Sequence, residues 1–265
     1  MNFNEMTIKT IPSSPKGWSG GLAYKDGIIY ETNNGKVIGL RDSDSGNYVG
    51  KLTTDANQGV KDIAYDVSEN GFWGTPAGGY DYYHLFDWIS GKTIRMITRP
   101  KFAFGIFTDP GEPGVLWCAD QIRNRAVKIS TKDGHEILQI KLTFPPRGIA
   151  RNGEFLWFTR AGEVGEEGYL YKTDMNGKMV DSCIFPSSKY SHDAGGMDFD
   201  SDGYLWAHGG KYTCIYKLDT GEQPAPVPEP PTPTPPTPEP PPEAADDDSG
   251  NIFDIILKLF KRIFG

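Results

Sequence analysis

The side chains of this 265-residue chain best suited to chemistry are few and scattered. His192 and Asp193 adjoin, and His208 follows on a later segment. Imidazoles and a carboxylate converging at about 2 Å on one ion would make a metal site, provided both segments point inward. Glu31 and Asp120 would serve glycoside cleavage if the fold held them about 5 to 10 Å apart across a cleft. Each has a plainer reading: the histidines as surface or hydrogen-bonded structural groups, the acids as residues on opposite sides of an intervening repeat. No serine nucleophile elbow, phosphate-binding glycine loop or dinucleotide fingerprint appears in a usable context. The stretch DFDSDG at 198–203 lacks the closing glutamate of a calcium loop and reads as an Asp-rich turn. Cys118, Cys183 and Cys214 are odd in number and widely separated, which suits three small buried apolar side chains rather than a disulfide framework or a zinc site. The expectation is no metal, no cofactor and no assigned catalytic residue.

What must position these residues is a repeat. Segments beginning at Gly21, Asp62, Gly105 and Gly148 share one order: a short apolar strand, a gap closed by Gly, an aromatic-rich strand, a polar loop, a strand ending near Asp, a Gly and a last apolar strand. A fifth segment from Gly196 stops after three strands. The turn glycines Gly46, Gly91, Gly134, Gly177 and Gly221 fall 45, 43, 43 and 44 residues apart, the size of one four-stranded propeller blade. The unassigned segment EMTIKTIPS at 5–13 alternates Met6, Ile8 and Ile11 with polar residues, so it is expected to supply the missing outer strand of blade five and close the ring. The fold expected is therefore all-β, a five-bladed propeller over residues 1–222. Tyr30, Trp73, Trp117, Trp157 and Trp206 are equivalent positions and read as packing between blades rather than a ligand platform.

In such an architecture the loops before the innermost strands and after the second strands gather at one end of the channel, where ligands sit. The repeat register places Trp18, Lys61, Phe102, Arg147, His192 and Asp193 before inner strands, and Glu31, Asn33, Thr75, Tyr80, Asp120, Arg123, Arg160 and His208 after second strands. These are the candidate ligand-binding residues.

The stretches PPRGIARNGEFLWFT and AGGMDFDSDGYLWAHGG carry a strand pair similar to that of the NHL and Vgb-like propellers, and the resemblance covers residues 5–222. It marks blades, not activity. GLAYKDGIIYETNNG is similar to the first-blade motif of plant-type glutaminyl cyclotransferases, a five-bladed class, with Glu31 at the position of a functional glutamate. That resemblance implies an enzyme with Glu31 as acid or base; a second Glu expected at the head of the next blade is replaced by Val60-Lys61-Asp62.

Beyond Glu222 the composition changes. Residues 224–242 hold twelve prolines, which favours extended polyproline II and a reach of roughly 60 Å at about 3.1 Å per residue. The linker is assigned to 223–250 and an amphipathic helix to 251–265, with Asn251 as cap and Lys258, Lys261 and Arg262 toward its C-terminus. Ile252, Phe253, Ile256, Leu257, Phe260, Ile263 and Phe264 form a broad apolar face that is expected to be buried against a partner: a protein assembly such as a viral particle or shell, a membrane surface, or a second copy of the chain.

A net charge of −8 with no basic stripe argues against nucleic acid as a partner. The N-terminus has no apolar h-region and no run reaches the roughly 18 apolar residues of a membrane span. The sequence thus points to a non-catalytic recognition or display head for a glycan, peptide or protein, anchored through its tail to a particle, shell or membrane. The alternative is a tethered enzyme, cyclotransferase-like or acting on carbohydrate.

Overall fold

The computed structural model describes residues 1–12, 20–77, 81–100, 103–160, 168–185, 194–209 and 214–222. The chain opens with a one-turn helix, α1 (Phe3–Met6), and a strand, β1 (Thr7–Pro12). Four antiparallel meanders follow. Blade one is β2 (Leu22–Lys25), β3 (Ile28–Glu31), β4 (Val37–Asp42) and β5 (Tyr48–Thr53); blade two is β6 (Val60–Asp66), β7 (Gly71–Pro76), β8 (Tyr82–Asp87) and β9 (Thr93–Thr98). Blade three is β10 (Ala103–Thr108), β11 (Val115–Asp120), β12 (Arg125–Ser130) and β13 (Glu136–Lys141); blade four is β14 (Ile149–Asn152), β15 (Phe155–Arg160), β16 (Gly168–Asp174) and β17 (Met179–Phe185). Blade five is β18 (Ala194–Phe199), β19 (Leu205–Gly209) and β20 (Cys214–Leu218), with β1 as its outer strand. The chain is a five-bladed propeller, as the repeat predicts. The tail expected over 223–265 lies outside the described residues.

The five turn glycines that set the repeat all sit at φ between 69° and 80°, in the turn after the third strand of each blade, where an L side chain would be strained. Ring closure is made by β1 on β20, with Thr10 opposite Tyr216 and Ile11 opposite Ile215. The alternation expected of Met6, Ile8 and Ile11 holds only in part. Met6 ends α1, and a register shift between Thr7 and Lys9 turns Ile8 outward, 53% exposed, while Ile11 is buried at 2%. Phe3 of α1 adds a second tie, edge-on to both Phe185 of blade four and Tyr216 of blade five.

Between blades the equivalent aromatics are buried as expected, and three of them, Trp73, Trp157 and Trp206, are fastened through the indole N–H, whereas that of Trp117 has no partner. Trp73 and Trp206 donate their indole N–H to Asp66 and Asp200 at 2.9 Å, the acids of the turns below the inner strands. A cation lies over each Trp ring: Arg95 over Trp73, Lys128 over Trp117, Lys172 over Trp157 and Lys217 over Trp206. In blade four the matching turn residue is Asn152, and the acceptor comes from elsewhere. Glu222, just past blade five, receives the Trp157 indole at 3.3 Å and pairs with Lys172. The propeller therefore ends on the face of the turns, opposite the end where the candidate loops gather.

The two isoleucines of β1 separate closure from mere strand content. Ile11→Ala should lower stability by about 2–5 kcal/mol in urea unfolding, the cost of a large-to-small change in a packed core. Ile8→Ala should stay within about 0.5 kcal/mol.

Candidate functional site

The inner strands enter the ring at one register position, occupied by Gly21, Asp62, Gly105, Gly148 and Gly196. The backbones approach so closely there that a methyl group built on Gly105 would overlap the Arg147 carbonyl, and one on Gly148 would press on the Gly195 carbonyl. Two threonines fasten the approach. Thr32 Oγ1 accepts from Gly21 N–H at 2.6 Å and donates to the Lys61 carbonyl at 2.7 Å, joining blades one and two. Thr159 Oγ1 does the same for Gly148 and Gly195, at 2.8 and 3.2 Å, joining blades four and five.

Asp62, the one side chain in this ring of glycines, fills what space remains. It is 4% exposed, and a methyl group on either Gly21 or Gly196 would overlap it. One oxygen accepts from its neighbour Ile63 N–H and the other from Ile106 N–H, both at 2.9 Å, with Leu22 N–H as a further donor. Burial pushes its carboxyl up to about 8 despite these donors. Asp198 makes a similar link from blade five to blade one, accepting from Tyr24 N–H at 2.7 Å, and burial pushes it up to about 7.

One residue above this level the side chains are Gly20, Lys61, Phe104, Arg147 and Gly195. Bulges create two of them: the pairing of β6 with β7 shifts between Val60 and Asp62, and that of β10 with β11 between Ala103 and Gly105, freeing Lys61 and Phe104 from the ladder. Lys61 Nζ lies 3.6 Å from the centre of the Phe104 ring and the Arg147 guanidinium 5.7 Å from it. Burial first, then the charge of Arg147, with Arg99 adding to it and Asp62 opposing, pushes the Lys61 ammonium down to about 8. Among the described residues its Nζ has no hydrogen-bond acceptor and no ion-pair partner.

The other candidates are placed differently. Glu31 is buried at the end of β3, with Oε1 receiving Arg41 Nε at 2.8 Å and Oε2 without a partner. Asp120, fully buried at the end of β11, accepts from Arg125 Nε at 2.9 Å and from the backbone and side chain of Arg123. Each acid is thus committed to an arginine of its own blade. His208 is buried in β19, pushed down to about 4 by burial and the charge of Arg41, so its ring is neutral at physiological pH. Arg160 ends β15, half-buried. Trp18, Tyr80, His192 and Asp193 lie outside the described residues. Phe102 also lies outside the described residues, and sequence reasoning missed Phe104 and the bore-filling role of Asp62. The repeat register held both signals: Phe104 precedes Gly105 as Lys61 precedes Asp62 and Arg147 precedes Gly148.

The chain matches no protein-family model and no curated protein. Its fold is similar to that of the crystal structure of Myxococcus xanthus glutaminyl cyclase, with a TM-score of 0.60 at 12% identity over 80% of this chain and 94% of that one. Weaker likenesses, each with a TM-score of 0.47 at 14% identity, are to Kuenenia stuttgartiensis hydrazine synthase, covering 74% of this chain and 56% of that one, and to the WD40 propeller domain of Doa1, covering 75% and 62%. At these identities the similarity is one of fold.

The raised carboxyls of Asp62 and Asp198 make stability depend on pH with a definite sign. Both groups hold protons in the folded state that the unfolded chain releases near its ordinary value of 3.8, so their contribution is complete below that value and is lost as pH rises toward about 7 and 8. The urea midpoint should fall between about pH 5 and pH 8, and Asp62→Asn, which keeps an acceptor without a charge to desolvate, should flatten that fall. An unchanged slope in the variant would show that Asp62 is ionised in the ring.

Proposed function

We propose that this propeller is a recognition head that binds a glycan, peptide or protein at the channel end beside Lys61, Phe104 and Arg147, and that residues 223–265 tether it to a larger body: a viral particle, a protein shell or a membrane. The observation that carries the reading is the disposition of the described end. A cation without a counter-ion stands at the mouth of a bore closed by backbone and Asp62, which suits a ligand resting on the surface rather than passing through. Glu222, next to the start of the Pro-rich segment, is fastened to blade four on the opposite face. No helix among the described residues is long and apolar enough to cross a membrane, so attachment in this reading falls to the apolar face of the terminal segment.

The second reading is a cyclotransferase-like enzyme, favoured by the shared fold with a protein named glutaminyl cyclase. Two observations weigh against it. The head of blade two carries Val60-Lys61-Asp62 where the resemblance calls for a Glu, and Glu31 is held by Arg41.

Arrayed glycans and peptides should bind the full chain and a chain ending at Glu222 alike, and Lys61→Met should abolish that binding with an unchanged unfolding midpoint. The shortened chain should lose association with particles or vesicles, while the 251–265 segment fused to an unrelated carrier should confer it. Turnover of a peptide with N-terminal glutamine, lost in Glu31→Gln, would replace the recognition reading with the enzymatic one.

A further inference from the structure

We infer that β13, the outer strand of blade three, is a docking edge for a second copy of the chain, the two copies pairing there antiparallel into one continuous sheet. The inference concerns the rim and is independent of what the mouth binds. An outer strand leaves alternate N–H and C=O groups unpaired, and folded proteins guard such edges with charge, proline or bulges. All five outer strands share one bulge near their start, at Ile8, Val49, Ile94, Ile137 and Val180, where the pairing with the third strand shifts. Three residues on, Ile11, Leu52, Ile97, Ile140 and Cys183 are all buried and hold each strand to its blade. The bulge is therefore common to the rim, and what differs is the pair of residues in between. Lys9-Thr10, Gly50-Lys51, Arg95-Met96 and Asp181-Ser182 each include a charge, whereas Leu138-Gln139 does not. Three of those charges also tie down their strands: Lys9 donates to the carbonyls of Ser43 and Asp44, Arg95 to that of Thr131, and Asp181 pairs with the Met1 amine. Blade three instead leaves Leu138 43% exposed beside Ile137 at 47%.

This edge is also complementary to itself. A two-fold axis normal to a sheet sets residues of like facing opposite one another, so the pleat restricts the register. Leu138 and Ile140 face one side; Gln139 and Lys141 face the other, together with Glu136 and Ile137, the two residues that the bulge sets against Ile129. An antiparallel pair centred on Gln139 therefore places Gln139 against its own copy, Leu138 against Ile140, and Lys141 against Ile137 and Glu136. Gln139 Oε1 receives Arg125 at 2.8 Å, which leaves its amide N–H groups to donate across the seam. Glu136 is held by Arg125 yet stays 42% exposed, and Lys141 has no ion-pair partner among the described residues, so the second copy brings it to a carboxylate with lone pairs to spare. No like charges meet. The same operation on blade one would set Lys51 against Lys51, and on blades two, four and five it would press Arg95, Asp181 and Lys9 against Ile97, Cys183 and Ile11. Blade three alone has an edge that its own copy can cover without stranding a charge.

The test is sedimentation of the full chain over a range of concentrations, beside Leu138→Lys and Ser182→Lys. The native chain should form a dimer whose share grows with concentration. Leu138→Lys restores the kind of charge that the other blades carry; it should raise the dissociation constant at least about tenfold, with an unchanged unfolding midpoint, because each copy then brings an ammonium into the seam. Ser182→Lys, on the outer strand of blade four, should dimerise as the native chain does. The register has its own probe. Opposite residues of an antiparallel pair lie about 4.5–5.5 Å apart at Cα, within disulfide reach, so Gln139→Cys should cross-link copy to copy under mild oxidation beyond the native chain, and Ser182→Cys should not. A chain that stays monomeric at every concentration overturns the inference. A dimer that Leu138→Lys leaves intact overturns it too and places self-association elsewhere, as on the terminal segment. Failure of Gln139→Cys to cross-link overturns the antiparallel pairing on which the inference stands.

Discussion

Five sheets can meet around an axis only if their inner strands come together backbone to backbone. In this chain that contact is made by four glycines and one aspartate. The glycines remove the Cβ atoms that would hold the strands apart, and Asp62 occupies the residual space while serving the N–H groups of Ile63 and Ile106, with Leu22 in reach. Every other feature depends on this arrangement. The threonine links at Thr32 and Thr159 reach from one inner strand to the next because the strands are so close. The wedges between the sheets then open outward and take the large aromatics, of which Trp73 and Trp206 are fastened through their indole groups at the opposite face. A carboxyl at the hub is a costly choice unless its charge is suppressed or well solvated by donors, and here burial and N–H groups act in opposite directions on its proton.

Charge at the channel end follows one rule with one departure. Where a second strand ends in an acid, the third strand returns an arginine to it: Glu31 with Arg41 in blade one, Asp120 with Arg125 in blade three. These pairs neutralise themselves within a hairpin and hold the second and third strands together where the ladder stops. Lys61 departs from the rule because it belongs to an inner strand and to a bulge, with no facing acid in its own hairpin. Among the described residues Lys61 thus has no ion-pair partner.

The sequence was most legible where a physical constraint repeats. The positive-φ glycines at Gly46, Gly91, Gly134, Gly177 and Gly221 recur because the same turn recurs, and that period alone led to five blades and to the N-terminal strand as the missing element. The detail of that strand was less legible, since a bulge after Thr7 moves Ile8 to the outside and no local signal in EMTIKTIPS marks it. The candidate site divides in the same way. Lys61, Arg147 and Glu31 were found because they stand at fixed register positions, whereas the commitment of Glu31 and Asp120 to arginines depends on partners in the next strand, which an alignment of single positions does not weigh. Phe104 stands at the same register position, directly before Gly105, and was not read from it, although the bulge that exposes it matches the one at Lys61.

The ring position occupied by Gly20, Lys61, Phe104, Arg147 and Gly195 is lopsided, and the lopsidedness bears on how a ligand can lie. Blades two, three and four raise three large side chains in succession, and blades five and one present two glycines. Lys61 and Arg147 both lie against the Phe104 ring, on one side of the axis. Because Gly195 and Gly20 are themselves in close approach, the floor there is backbone and offers hydrogen-bonding groups rather than an apolar surface. The two halves of the ring therefore differ in kind, with charge and an aromatic face on one side and backbone on the other.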